Sequence, residues 1–308
     1  MSLIEKAVER LDQLKQAGQQ PPAMPGAAAR ASVRPAAEAA APAPTPTTAP
    51  VAESRREPVS RAVEIDLERL NAMGMVTPDH PRSSIAEEYR VIKRPLLKNA
   101  SGSGSTPVKD GNLIMVTSAL PGEGKSFTAL NLAISMAMEL DHTVLLVDAD
   151  VSKPSVLRTL GLQPQRGLMD VLTNSDTSLP DVLLRTNIEK LSILPAGNTH
   201  QRATEVLASE GMMRLLDEMA TRYADRIIVF DSPPLLVTTE ARALATHMGQ
   251  IVLVVEAERT THSAVKQAVQ MIEACPVKMS LLNKCSTHGP GGYYGYGYGY
   301  GYGAENDA

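Results

Sequence analysis

The chain has 308 residues, 43% of them hydrophobic, with 30 basic against 34 acidic side chains and a net charge of −4; this suits one α/β core with extensions and offers no broad positive field for nucleic acid or anionic lipid. Cys275 and Cys285 are the only cysteines, too few for a disulfide framework and without metal-ligand spacing, which fits a reducing cytoplasm. No stretch reaches the roughly 18 uninterrupted apolar residues of a membrane span, and the charged start MSLIEKAVERLDQLKQAG does not read as a secretion signal.

Residues 1–18 read as an amphipathic helix: Ser2 and Glu5 have capping-box spacing, and Ile4, Ala7, Val8, Leu11 and Leu14 recur at helical intervals. An isolated helix this short is marginal in water, so the pattern predicts docking, either on its own domain or on a partner helix. Residues 19–60 are Ala/Pro-rich, with 20 Ala or Pro among the 30 residues from Pro21 to Pro50, and predict a semi-extended, mostly disordered linker. Residues 61–110 read as a helical lead-in. Helical patterning runs from Ile65 to Met73 and again over 83–100, where Ser84 is the candidate cap and Pro95 is expected to kink or end the helix.

From 111 to 288 the pattern predicts the main domain. Short apolar runs at 113–117, 143–148, 190–196, 226–231, 250–256 and 277–283 alternate with helical ones such as 125–140 and 261–274. Their continuous apolar character predicts a doubly wound, mostly parallel sheet buried on both faces, with its ligand at the carboxyl ends of the strands. Residues 289–308, GPGGYYGYGYGYGYGAENDA, form a Gly/Tyr-rich tail holding six of the eight tyrosines. Glycine between the tyrosines keeps them from joining the sheet.

The first strand ends in ALPGEGKS, residues 119–126, directly before a helical run. Except for Ala119 in place of the first Gly, this matches the phosphate-binding loop GxxxxGK[ST]. Around Pro121, Gly122, Glu123, Gly124 and Phe127 the backbone N–H groups and the helix start can cradle phosphates; Lys125 can reach the β and γ phosphates, and the Ser126 hydroxyl can ligate Mg²⁺. VLLVDAD places Asp148 and Asp150 at one strand end and IIVFD places Asp231 at another. In a parallel sheet these carboxylates converge beside the loop, where they read as metal ligands and as a proton acceptor.

ALPGEGKS, VLLVDADVSKPS, IIVFDSPP and the terminal tyrosine cluster, in that order, resemble the bacterial tyrosine kinases over about residues 83–303. The N-terminal helix, Ala/Pro linker and Gly-Tyr tail further resemble the exosortase-associated exopolysaccharide autokinases. The resemblance implies a phosphate-loop fold of the Par/Min type, ATP and Mg²⁺ as ligands, and autophosphorylation of Tyr293, Tyr294, Tyr296, Tyr298, Tyr300 and Tyr302, largely between subunits. It implies Lys125, Asp148 and Asp150 as catalytic residues, with Asp148 the favoured proton acceptor, and Ser126, Asp148 and Asp231 at the metal. It also implies a ring-like homo-oligomer through an ExxRxxR motif that Glu87, Arg90 and Lys93 match, with Lys for the last Arg. The implied partners are a membrane polysaccharide chain-length regulator as activator, placing the protein peripherally at the inner membrane, and a protein tyrosine phosphatase. One departure follows DAD: Ser152 stands where the family usually has Arg, with a basic group only at Lys153.

Two other readings compete. A Par/Min-type ATPase switch needs a signature Lys where Leu120 stands and has no tyrosine tail. A scaffold that binds ATP without transferring phosphate is opposed by the intact Lys125, Ser126, Asp148 and Asp231. Asn283, after the last strand, reads equally as an adenine contact or a plain loop residue, as does Lys284 beside it. Tyr89 and Tyr223 lie in helical patterns and are expected to pack.

Overall fold

A computed structural model of the protein describes residues 61–103, 106–223 and 225–286. The N-terminal helix, the Ala/Pro linker and the tyrosine tail lie outside the described residues. The strands are β1 (Arg61–Val63), β2 (Leu113–Ser118), β3 (Thr143–Asp148), β4 (Leu184–Thr186), β5 (Leu191–Leu194), β6 (Arg226–Asp231), β7 (Gln250–Glu256) and β8 (Val277–Asn283). They form one sheet in the order β1-β4-β5-β3-β6-β2-β7-β8. Every pair is parallel except β4 with β5.

Alternation along each central strand explains why the apolar runs are continuous. Leu113, Met115, Leu145, Val147, Ile228, Phe230, Ile251 and Leu253 point into one buried cluster. Their neighbours Ile114, Val116, Val144, Leu146, Ile227, Val229, Val252 and Val254 point into the other. A strand covered on both faces needs β-branched and aliphatic residues at every position. The last strand departs from that expectation: along β8, Val277, Met279 and Leu281 are half-buried while Lys278, Ser280 and Leu282 are exposed. As the sheet's edge it is covered on one side only, and its pattern alternates accordingly.

Residues 61–110, expected as a helical lead-in, hold two helices and a short edge strand that pack into the same body. Arg61–Val63 adds an edge strand beside β4, and Ile65, Leu70, Met75, Val76 and Leu96 are buried in the second cluster. Helix α1 (Leu67–Ala72) is capped by Asp66, whose Oδ1 accepts from Arg69 N at 2.9 Å. Helix α2 (Ser84–Ala100) is capped by Ser83, one residue before the expected Ser84. Pro95 does not end it. The carbonyl that loses its donor belongs to Val91, 71% exposed, where water can substitute, while the buried Leu96 anchors the opposite face.

Helix α2 packs on α3 (Lys125–Ala137), the helix that follows the phosphate loop. Lys93 makes the polar part of that contact: its Nζ donates to the Ser135 carbonyl at 2.5 Å and pairs with Glu139 at 2.6 Å. Replacing Lys93 by Met should leave a buried carbonyl unpaired and cost about 1–3 kcal/mol in urea unfolding; an unchanged midpoint would show the contact to be dispensable.

Candidate active site

The site is built where β2, β3 and β6 end. Ser118 closes β2, residues 119–124 form the loop, and α3 begins at Lys125. The N–H groups of Gly122, Glu123, Gly124, Lys125 and Ser126 meet no acceptor among the described residues. With the start of α3 behind them, they form a nest for an anion.

What faces outward on this loop is tied down. The buried Glu123 side chain accepts from Leu120 N at 2.7 Å and from the Thr260 hydroxyl. Asn283 Nδ2 donates to the Glu123 carbonyl at 2.9 Å, and Lys284 Nζ to the Gly122 carbonyl at 2.7 Å and to Glu256 at 3.2 Å. Gly124 is required twice over. Its φ of +100° lies in the left-handed region, and a Cβ there would come 2.0 Å from Asn283 Nδ2. Asn283 and Lys284, read from sequence as adenine contact or plain loop, therefore hold the loop's outer rim.

The carboxylates converge as the strand ends predict. Asp148 and Asp231 stand opposite one another in register on the adjacent strands β3 and β6, and Ala149 N donates to the Asp231 carbonyl at 2.8 Å. Lys125 Nζ lies 2.7 Å from Asp150 Oδ2 and 3.5 Å from Asp231 Oδ1. Asp148 Oδ2 accepts from Ser155 N and Val156 N, both at 3.0 Å, at the start of α4 (Val156–Thr159). Ser155 Oγ donates to Ser126 Oγ at 2.9 Å and lies 3.3 Å from Asp231 Oδ2.

These contacts set the charges. Burial, then the neighbouring Asp231 charge, pushes the Asp148 carboxyl up to about 7. Burial also raises Asp231, against the opposing charge of Lys125. For Lys125 burial acts downward, but Asp231 and Asp150 together outweigh it and hold the ammonium above its ordinary value. Asp148 Oδ1 and Asp231 Oδ1 are buried and accept no hydrogen bond among the described residues; the Lys125 ammonium at 3.5 Å offsets this for Asp231, whereas Asp148 Oδ1 costs free energy unless a proton or cation arrives. Among the described residues no three His, Cys, Asp or Glu side chains are spaced to hold a metal alone. Mg²⁺ needs no such cage, because one or two carboxylates plus phosphate oxygens and water suffice. The Ser126 hydroxyl and the free carboxylate oxygens are hard oxygen donors of the kind it takes.

Beside Asp148 a cavity of about 520 Å³ opens between α4 with its following loop and the end of β5. Pro154, Leu157, Leu162, Pro164, Pro195 and Ala196 give it apolar walls. Its walls come from segments 154–165 and 195–199, separated in sequence and lacking a motif, so sequence reading missed it. Ser155 was missed too; its only signal is a Pro-Ser step before a short helix. The Glu123 and Thr260 side chains carry no motif meaning and were found only through their contacts.

Of the remaining expected site residues, Pro121 is exposed and Phe127 is half-buried against the second cluster. Glu87 and Arg90 pair with each other on the exposed side of α2, whereas Lys93 points away from them into the core. Ser152 and Lys153 are exposed, and Lys153 N caps Asp150 Oδ1 at 3.1 Å. Tyr89 is buried, which raises its hydroxyl to about 12. Tyr223 is half-buried, with the Arg226 guanidinium 4.9 Å from its ring centroid.

A free N–H nest, a buried lysine and carboxylates at the ends of parallel strands define a phosphate-loop nucleotide-binding domain, and residues 111–284 match the AAA domain family. The chain is 32% identical over 225 residues to the tyrosine-protein kinase YwqD of Bacillus subtilis, covering 72% of this chain and 91% of that one. It is 33% identical over 226 residues to the succinoglycan biosynthesis transport protein ExoP of Rhizobium meliloti, covering 72% of this chain but 28% of that longer protein. The solved kinase domain of Escherichia coli tyrosine kinase ETK superposes with a TM-score of 0.58 at 26% identity, over 67% of this chain and 77% of that one. The chain belongs to the bacterial tyrosine-protein kinases.

Two measurements probe this geometry. Asn283→Ala should weaken binding of ATP and of inorganic triphosphate equally, by about 5–10-fold, in calorimetric titration; a loss confined to ATP would make Asn283 a reader of the base instead. The raised Asp148 gives the second. The folded state keeps this proton up to about pH 7, whereas the unfolded chain releases it near roughly pH 4, so rising pH through that window removes stability. Metal-free Asp148→Asn should therefore melt above the wild type at pH 8, by about 2 °C or more, and the gap should close as the pH is lowered toward 5. A gap that stays constant with pH would contradict the raised carboxyl.

Proposed function

We propose that the chain is an ATP- and Mg²⁺-dependent tyrosine autokinase that phosphorylates Tyr293, Tyr294, Tyr296, Tyr298, Tyr300 and Tyr302, mainly on a neighbouring copy. The observation that carries this reading is the juxtaposition of a phosphate nest and Lys125 with an apolar cavity that ends at Asp148. A phenol ring suits such a cavity, and its hydroxyl then meets a carboxylate whose proton affinity lies near neutrality, the range in which a general base works best. The nest and Lys125 hold the triphosphate. Asp148 takes the phenolic proton as the phenol oxygen bonds to the γ phosphorus, and the bond from that phosphorus to the β,γ-bridging oxygen breaks to release ADP. Bound Mg²⁺ would be held by Ser126 and Asp231, with Asp148 near it, and would neutralise phosphate charge. Lys125 and Asp150 position the transferred group electrostatically.

We further infer that this activity serves exopolysaccharide polymerisation or export, supported by the similarity to ExoP, a succinoglycan biosynthesis transport protein. No helix among the described residues is long and apolar enough to cross a membrane, and the similarity covers only 28% of ExoP. In this reading a membrane polysaccharide chain-length regulator activates the kinase and a tyrosine phosphatase resets it. Ring assembly through Glu87 and Arg90 belongs to the same reading; their pairing on an exposed face supports it, while Lys93 serves the core. The Par/Min-type switch lacks its lysine, since Leu120 occupies that place.

Purified protein incubated with Mg·ATP should acquire phosphotyrosine within residues 289–308 by mass spectrometry, and Lys125→Met should acquire none. Mixing Lys125→Met with an active protein cut after residue 288 should phosphorylate the inactive copy's tail. A wild-type tail that stays unmodified, with the activator's cytoplasmic segment present, would leave a nucleotide-binding scaffold.

A further inference from the structure

The cavity beside Asp148 carries a charge that transfer to an unmodified tyrosine does not call for. Arg158, on α4, lines it together with the apolar walls. Its side chain is exposed, and among the described residues it makes neither an ion pair nor a side-chain hydrogen bond. The cavity's one carboxylate is Asp148, which is buried and held by the N–H groups of Ser155 and Val156. Arg158 therefore offers an unmatched guanidinium on the wall of a cavity with room for a phenol ring. A guanidinium presents a planar fork of donors that matches phosphate oxygens two at a time.

The tail supplies the matching anion only after it has reacted. Tyr294, Tyr296, Tyr298, Tyr300 and Tyr302 stand at every second position. In an extended acceptor, side chains two residues apart emerge on the same face, roughly 7 Å apart. When one tyrosine enters the cavity, the next therefore stands over its lip. None of Tyr294, Tyr296, Tyr298 and Tyr300 has an acidic residue within two positions, and Glu305 and Asp307 come only beyond Tyr302. The anions available beside these acceptors are the phosphates that the enzyme itself installs.

We propose that Arg158 is a specificity-determining residue that binds phosphotyrosine beside the acceptor, so that each phosphorylation of the tail promotes the next. The inference rests on the tail being the acceptor. It also answers a difficulty of that reading: a phosphorylated tail is repelled by Asp148, Asp150 and Asp231, and Arg158 offsets this repulsion while unmodified tyrosines remain.

The test follows the phosphoforms of the full chain's own tail by intact-mass spectrometry during reaction with Mg·ATP. The readout is the rate constant for the second phosphate divided by that for the first, corrected for the number of tyrosines left. The wild type should give a ratio above one, and Arg158→Ala should lower it by about fivefold or more, whatever its rate for the first phosphate; Arg158→Lys should fall between them. A wild-type ratio of one or less overturns the proposal. So does a raised ratio that survives Arg158→Ala, which would place the acceleration in assembly of the copies. A tail without any phosphotyrosine is a separate failure: it removes the acceptor reading, and this inference with it.

Discussion

A largely buried ammonium among buried carboxylates is the constraint on which this site depends. Lys125 is about one-eighth exposed, and Asp150 and Asp231 lie 2.7 and 3.5 Å from it. Taking such charges out of water is costly, and removing one partner would strand the others. The lysine therefore cannot be merely decorative: it balances carboxylates that the strand ends force together. Incoming phosphates compete with those carboxylates for the same ammonium. A divalent cation can then take over the neutralisation that Lys125 gave them, and the Oδ1 atoms of Asp148 and Asp231, which accept no hydrogen bond among the described residues, offer coordination sites for that exchange.

The fold makes this cluster unavoidable. Adjacent parallel strands in register bring Asp148 and Asp231 opposite each other, and the loop after β2 has no route but past them. The loop is then pinned from behind by the last strand and the β7 connection, through Asn283, Lys284, Glu256 and Thr260. The edge strand that ends the domain is thereby mechanically part of the phosphate site.

Much of this was legible in the sequence because it depends on local pattern. The six runs expected as strands are strands, since two-sided burial forces continuous apolar residues, and ALPGEGKS and the terminal Asp residues mark their own positions. The three-residue strands at 61–63 and 184–186 escaped because so short a segment carries no period. Pro95 does not end its helix because its cost depends on whether the orphaned carbonyl reaches water, a tertiary fact. Lys93 looked like the end of a surface motif, yet helix α2 turns it onto Ser135 and Glu139. Ser155, Glu123 and Thr260 act through contacts between distant segments, which no spacing reveals.

We propose that one site both binds Mg·ATP and uses Asp148 to take the tyrosine proton. The most direct measurement compares nucleotide binding and phosphotyrosine formation in the same preparation of Asp148→Asn. Mg·ATP affinity should stay within about an order of magnitude of the wild type while transfer falls by roughly 10² or more. Transfer that survives at near wild-type rate would contradict it and move the proton to another acceptor.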